Sequence, residues 1–160
     1  METSINEWLP APSHERLGTA DQAADVCAEM IGFHHLGLSS ALIYDARCGI
    51  GNYSPLFNPM TYKPHKAYYA LKCFNELYRR KTEVKSSTDD PGVYVMAAGG
   101  PADGAVLVAN TTKDPVPFAP DLGGRKVLSC RITDATRTAA EIPMPSELPP
   151  HAFVLLQVGK

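Results

Sequence analysis

Hydrophobic and polar positions follow three rhythms along the chain. Thr3 to Trp8 is a short strand-like run, ended by Pro10 and Pro12, which can continue neither a ladder nor a helix. Thr19 with Gln22 three residues later forms a capping-box signature. Ala24, Cys27, Met30, Ile31 and His34 then recur at helical spacing up to Gly37, a residue suited to a left-handed cap, so a helix is predicted over Asp21 to Leu36. Ser40 to Ala46 is an almost unbroken apolar run, the pattern of a parallel strand buried on both faces. A long loop, Cys48 to Lys63, follows. Pro64 then suits the first turn of a helix that places Ala67, Leu71, Phe74 and Tyr78 on one side. The first half therefore reads strand, helix, strand, helix, an order that assembles naturally as parallel neighbours joined by helical crossovers.

After Lys81 the rhythm shortens. Val93 to Ala98, Ala105 to Asn110, Lys126 to Thr133 and Ala152 to Val158 are β-rich runs separated by turns such as Asp89-Asp90-Pro91-Gly92 and Asp103-Gly104. Many of the 14 prolines fall at such turns, including Pro143, Pro145, Pro149 and Pro150 ahead of the last run. A boundary between Arg80 and Ser87 divides the chain into residues 1–82 and 83–160. The expected fold class is α/β plus all-β: a partial (β/α)8 barrel of two βα units, followed by a β-sandwich-like domain.

Composition adds exclusions. With 44% hydrophobic and 20% charged residues the chain is of ordinary globular type. A net charge of −2 gives no electrostatic reason to expect nucleic acid, and the basic trio Arg79, Arg80 and Lys81 suits the C-terminal end of a helix dipole. No apolar run approaches the ~20 residues that span a bilayer, so no membrane partner is expected. Cys27, Cys48, Cys73 and Cys130 are widely spaced with no CxxC pair, which argues for buried free thiols rather than a metal site. No cofactor is implied. His34 and His35, on the same helix as Cys27, lack further ligands and read as a polar helix end, and His65 reads as a structural residue at a helix start. The compartment is left open.

Two parallel strands cannot close a barrel, so they leave unpaired edges and a one-sided apolar surface. Either upstream strands or self-association through those edges is expected to complete them. Within this frame, Ile5-Asn6-Glu7-Trp8, the Pro-rich loop, the helix ending His34-His35-Leu36-Gly37, the strand Ala41-Leu42-Ile43-Tyr44-Asp45, and Lys63-Pro64-His65-Lys66-Ala67-Tyr68 with Phe74-Asn75 form an ordered set. Over about the first 80 residues this set resembles the end of the catalytic barrel in glycoside hydrolase family 39 and its clan relatives. The β-rich tail is similar in placement to the sandwich that follows that barrel.

The resemblance implies a retaining glycosidase acting on a carbohydrate substrate, with Glu7 matching the family's nucleophile at the end of strand seven. Glu2 is a weaker competitor. Such chemistry needs a second carboxyl roughly 5 Å away to protonate the leaving oxygen. In the family that acid is the glutamate of an Asn-Glu pair at the end of strand four, and no residue here matches it. Asp45 is the nearest carboxylate by strand position, but it reads better as a hydrogen-bonding residue beside the sugar or a partner of Arg47. Trp8, Tyr44, Asp45, Asn52 and Tyr53 are the candidate substrate-binding residues, although the family commonly has tryptophan where Tyr44 stands. Packing between strand and helix is the competing account of Trp8 and Tyr44. The functional expectation is a glycoside hydrolase fragment, xyloside-like in specificity and inactive alone. The alternative is a non-catalytic β-sandwich module that binds carbohydrate or a partner domain. Tyr94 and Phe153, inside strand runs, are expected in its core.

Overall fold

The computed structural model describes residues 2–10, 14–44 and 56–160. Strand β1 (Ser4–Trp8), a single 3-10 turn (His14–Arg16), helix α1 (Ala20–His35), strand β2 (Ser40–Ile43) and helix α2 (Lys66–Tyr78) make up the first half. The second half contains β3 (Glu83–Val84), β4 (Val93–Gly99), β5 (Asp103–Asn110), β6 (Val116–Pro117), β7 (Lys126–Thr133), β8 (Ala140–Glu141), β9 (Glu147–Leu148) and β10 (Ala152–Gly159). The whole is a small α/β assembly dominated by antiparallel sheet.

The capping signals at α1 act as the sequence implies. Thr19 Oγ1 accepts the Gln22 N–H at 3.3 Å, and Gln22 Oε1 reaches back to accept the Gly18 N–H at 2.9 Å. At the other end Gly37 has φ 69, the Gly37 N–H donates to His34 O at 2.9 Å, and the Leu38 N–H donates to Phe33 O at 3.2 Å. That is a Schellman closure. Helix α2 begins two residues later than its proline suggests: His65 is the N-cap, and Pro64 lies outside the helix in a bridge with Phe57. Its buried stripe is Ala67, Ala70, Cys73 and Leu77, whereas Tyr78 is 64% exposed with the Lys81 ammonium 4.0 Å from its ring centroid. The expected face is thus rotated. The reason is steric: Ala67, Ala70 and Cys73 let α2 approach Ala23 and Cys27 of α1, which larger side chains would prevent.

Strands β3-β4-β5-β10-β7-β8 form a six-stranded sheet in which every neighbouring pair is antiparallel. Strand β10 is its centre, bonded to β5 along one edge and β7 along the other. Alternation along these strands splits the core. Met96, Ala98, Leu107, Ala109, Phe153 and Leu155 face α1 and α2, and the cluster they form also includes Trp8, Val26, Ile31 and Leu77, so helices and sheet share one core. Val108, Ile132, Val154 and Leu156 face the opposite side, covered by Phe118 and Leu148 near the short β6-β9 pair. Asn110, fully buried, ties the end of β5 to this cover. Its side-chain amide donates to the carbonyls of Asp114 (2.9 Å) and Pro149 (3.0 Å), and its oxygen accepts from the Thr112 N–H (2.9 Å) and hydroxyl (2.7 Å). Phe153 is in the core as expected. Tyr94 is not: it is 40% exposed, although it shares the helix-side face with Met96 and Ala98, and burial along β4 falls off toward its first residues.

Strands β1 and β2 pair in parallel across α1 in a separate two-stranded layer. Ile5, Trp8, Ala41 and Ile43 pack toward the helices, while Ser4, Ser40 and Leu42 face away, with Leu42 59% exposed. The expected burial of β2 on both faces is therefore met on one face only, since among the described residues no element lies over the other.

Candidate active site

Register between β1 and β2 slips where the candidate nucleophile stands. Ile5 pairs with Ala41 and Trp8 with Ile43, so three steps along β1 match two along β2. The extra residue falls in Asn6-Glu7, opposite Leu42. Such a bulge bends the strand and re-aims the side chains it carries. Both Asn6 and Glu7 are exposed. Glu7 is the penultimate residue of its strand, and among the described residues its carboxylate has neither an ion pair nor a side-chain hydrogen bond. A free, solvated carboxylate is chemically able to act as a nucleophile or a general base. Glu2, near the other end of the strand, is exposed as well.

The aromatic candidates separate. Trp8 is 9% exposed, with its ring edge-on to Phe33 at a 5.1 Å centroid distance, and its carbonyl accepts the Tyr44 N–H at 2.8 Å. Its indole Nε1 is buried and has no hydrogen-bond partner. Tyr44 stands just past β2, 39% exposed, at the same end of the layer as Glu7. Asp45, Asn52 and Tyr53 lie outside the described residues, as do Arg47 and Cys48. The Leu56 carbonyl accepts the His65 N–H at 2.8 Å, and Gly18 (φ 79) lies against the His65 ring, where a Cβ would come within 3.1 Å of it.

Several polar groups were not visible in the sequence as a set. Arg16 binds Asp21 and Asp25, each at 2.5 Å, and His151, from the turn before β10, meets Asp21 at 3.0 Å. Their spread from the 3-10 turn to the last strand hides the cluster from any local pattern. Glu29, one helical turn beyond Asp25, has its pKa raised to about 7, first by burial and then by the Asp25 charge. His34 and His35 end α1 against Glu83 of β3, at 3.0 and 3.8 Å. The Lys66 ammonium donates to Arg137 O (2.9 Å) and Thr138 Oγ1 (3.0 Å), joining the start of α2 to the β7-β8 turn.

Cys27, Cys73 and Cys130 are buried free thiols. Burial pushes Cys27 well up and Cys73 to about 11, so neither is a thiolate at neutral pH. Among the described residues no group of three His, Cys, Asp or Glu side chains could hold a metal ion, and no helix is long and apolar enough to cross a membrane.

No protein-family profile matches the chain, and no curated protein matches it in sequence. Solved structures do match in fold. A glycoside hydrolase family 30 subfamily 8 xylanase from Clostridium acetobutylicum superposes with a TM-score of 0.72 at 14% identity, covering 99% of this chain and 43% of that one. A glucosidase from Croceicoccus marinus gives 0.74 at 11% identity, over 100% and 47%. A family 30 endoxylanase from Clostridium papyrosolvens gives 0.71 at 16% identity, over 99% and 42%. The chain has the fold of part of a glycoside hydrolase, and it spans less than half the length of these structures.

Proposed function

We propose that this chain is the last part of the catalytic barrel, with the β domain that follows it, of a retaining glycosidase acting on O-glycosidic bonds of a xyloside-like substrate. Glu7 is the nucleophile. Residues 1–82 belong to the barrel and 83–160 to the β domain, which takes the place of the side sandwich. The observation that carries this reading is the bulge that presents an unpaired carboxylate near the C-terminal end of a parallel strand, the end at which barrel enzymes of this type keep their reacting groups. Xylanases and a glucosidase among the structural neighbours support the substrate class. The two edges of the β1-β2 layer, open among the described residues, and the exposed Leu42 support further barrel strands beside it, supplied upstream or by self-association.

In a double displacement Glu7 attacks the anomeric carbon as the bond to the leaving oxygen breaks. That oxygen takes a proton from a second carboxyl, and the same group, now a base, activates the water that releases the sugar. This chain contributes the attacking group and lacks a match for the proton donor. It is therefore inactive alone on glycosides whose leaving group must be protonated. Xylobiose is the test: the isolated chain releases no xylose, and release that disappears in Glu7→Gln would show the inactivity to be wrong.

A non-catalytic sugar-binding module is less well supported. Of the β domain's aromatic residues, Phe118 and Phe153 are buried and Tyr94 is exposed, which leaves a single ring for stacking.

A further inference from the structure

The sheet face turned away from the helices holds a cavity that the reading of Glu7 does not use. It has a volume of about 580 Å³, within the size range of small-molecule sites. It lies between Val84 to Ser87, the end of the β4-β5 hairpin, and the loop from Pro120 to Arg125. Its floor is apolar, formed by Val95, Val106 and Val158 of three adjacent strands. Its rim is polar.

Features of that rim select an occupant. Lys85 and Arg125 both line the cavity, and neither has a carboxylate partner among the described residues. Arg125 is nevertheless fixed in place: its Nη2 donates to Gly100 O at 2.8 Å, and its Nη1 lies where a Cβ on Gly104 would be 3.3 Å away, so the glycine admits the guanidinium against the sheet. Ser86 also lines the cavity, with its hydroxyl buried and without a hydrogen-bond partner among the described residues. Asp121, also on the rim, already accepts the Gly123 N–H at 2.9 Å through Oδ1. Positive charge is therefore in excess over an apolar floor. Among the described lining residues no aromatic ring is present to stack on a sugar.

We propose that this cavity binds a small amphipathic carboxylic acid. Its alkyl or aryl body lies on Val95, Val106 and Val158, and its carboxylate meets Arg125 and Lys85. Arg125 supplies the fixed, directional contact, and Lys85 a more mobile charge. The sheet and the helices separate this site from Glu7.

The test is titration of the full 160-residue chain with 4-phenylbutyrate, followed by backbone amide shifts in NMR, against the uncharged 4-phenylbutanamide and against xylohexaose. The acid moves the amides of Ser86, Ala97, Val106 and Gly123 saturably, the amide analogue binds about tenfold more weakly or worse, and xylohexaose leaves those signals in place. Lys85→Gln, at an exposed side chain with no partner to lose, weakens the acid several-fold. Arg125→Gln weakens it more, and Val106→Phe, which fills the floor, abolishes binding. Equal affinity for acid and amide, unchanged affinity in both charge variants, the same shifts with xylohexaose, or no saturation up to about 10 mM acid would each overturn the proposal.

Discussion

The strand β10 and the strand β2 are both apolar runs of the kind that fills a sheet interior, yet they end in opposite circumstances. β10 is hydrogen-bonded on both edges, and its side chains are buried on both faces, by the helices on one side and by Phe118 and Leu148 on the other. Among the described residues β2 pairs with β1 alone, packs one face against the helices and leaves Leu42 exposed. An apolar run needs cover on both sides, and among the described residues only the antiparallel sheet receives it. The difference separates a part of the molecule that is complete in itself from a part that the proposed function requires to be completed, and Glu7 belongs to the second.

The largest effect that tests this contrast comes from the centre of β10. Leu155 is fully buried between α1, α2 and the sheet, so Leu155→Ala is expected to cost about 3–5 kcal/mol, read from urea unfolding. A loss below about 1 kcal/mol would mean that the shared core is looser than described. Next is the junction between the two regions: Thr19→Ala removes the cap of α1 and should cost about 1 kcal/mol in the same assay.

Glu29 gives a pH-dependent reading of that helix. Its folded pKa is raised to about 7, chiefly by burial, so the folded state holds its proton more tightly than the unfolded chain does. The stability this contributes is full below the unfolded value of about 4.3 and is lost as pH rises through 7. Glu29→Gln should therefore stabilise the chain by somewhat under about 1 kcal/mol at pH 8, allowing for solvent screening, and leave it unchanged near pH 4. A stabilisation independent of pH would contradict the burial of that carboxyl. The smallest effect belongs to the open layer: Leu42→Ser should stay within about 0.5 kcal/mol, and a cost comparable to Leu155→Ala would show that β2 is covered in solution.

Much of this division was legible in the sequence because it is written in local signals. The Thr19-Gln22 cap, Gly37, the turn ending at Gly92 and the period-two runs each act within a few residues, and the elements they predict are present. What escaped was whatever depends on distant partners. The buried face of α2 turned away from Tyr78 because α1 selects small residues, and Tyr94 is exposed at the end of β4 where burial falls off. The bulge at Asn6-Glu7 is a mismatch between two strands 35 residues apart and has no mark in either alone. Ser86 and Arg125 come from distant parts of the chain to line one cavity, for the same reason. Glu7 itself was found by resemblance, and the strand register then gave it a physical setting.

The most direct test of the central claim isolates the first chemical step. A 2,4-dinitrophenyl 2-deoxy-2-fluoro-β-xyloside has a leaving group that needs no proton donor, and its fluorine slows release of the glycosyl enzyme, so a nucleophile without its acid can still be trapped. Mass spectrometry of the incubated chain should find one fluoroxylosyl adduct, located on Glu7 and absent from Glu7→Gln. No adduct, or an adduct on another carboxylate, would contradict the assignment of Glu7 as the nucleophile.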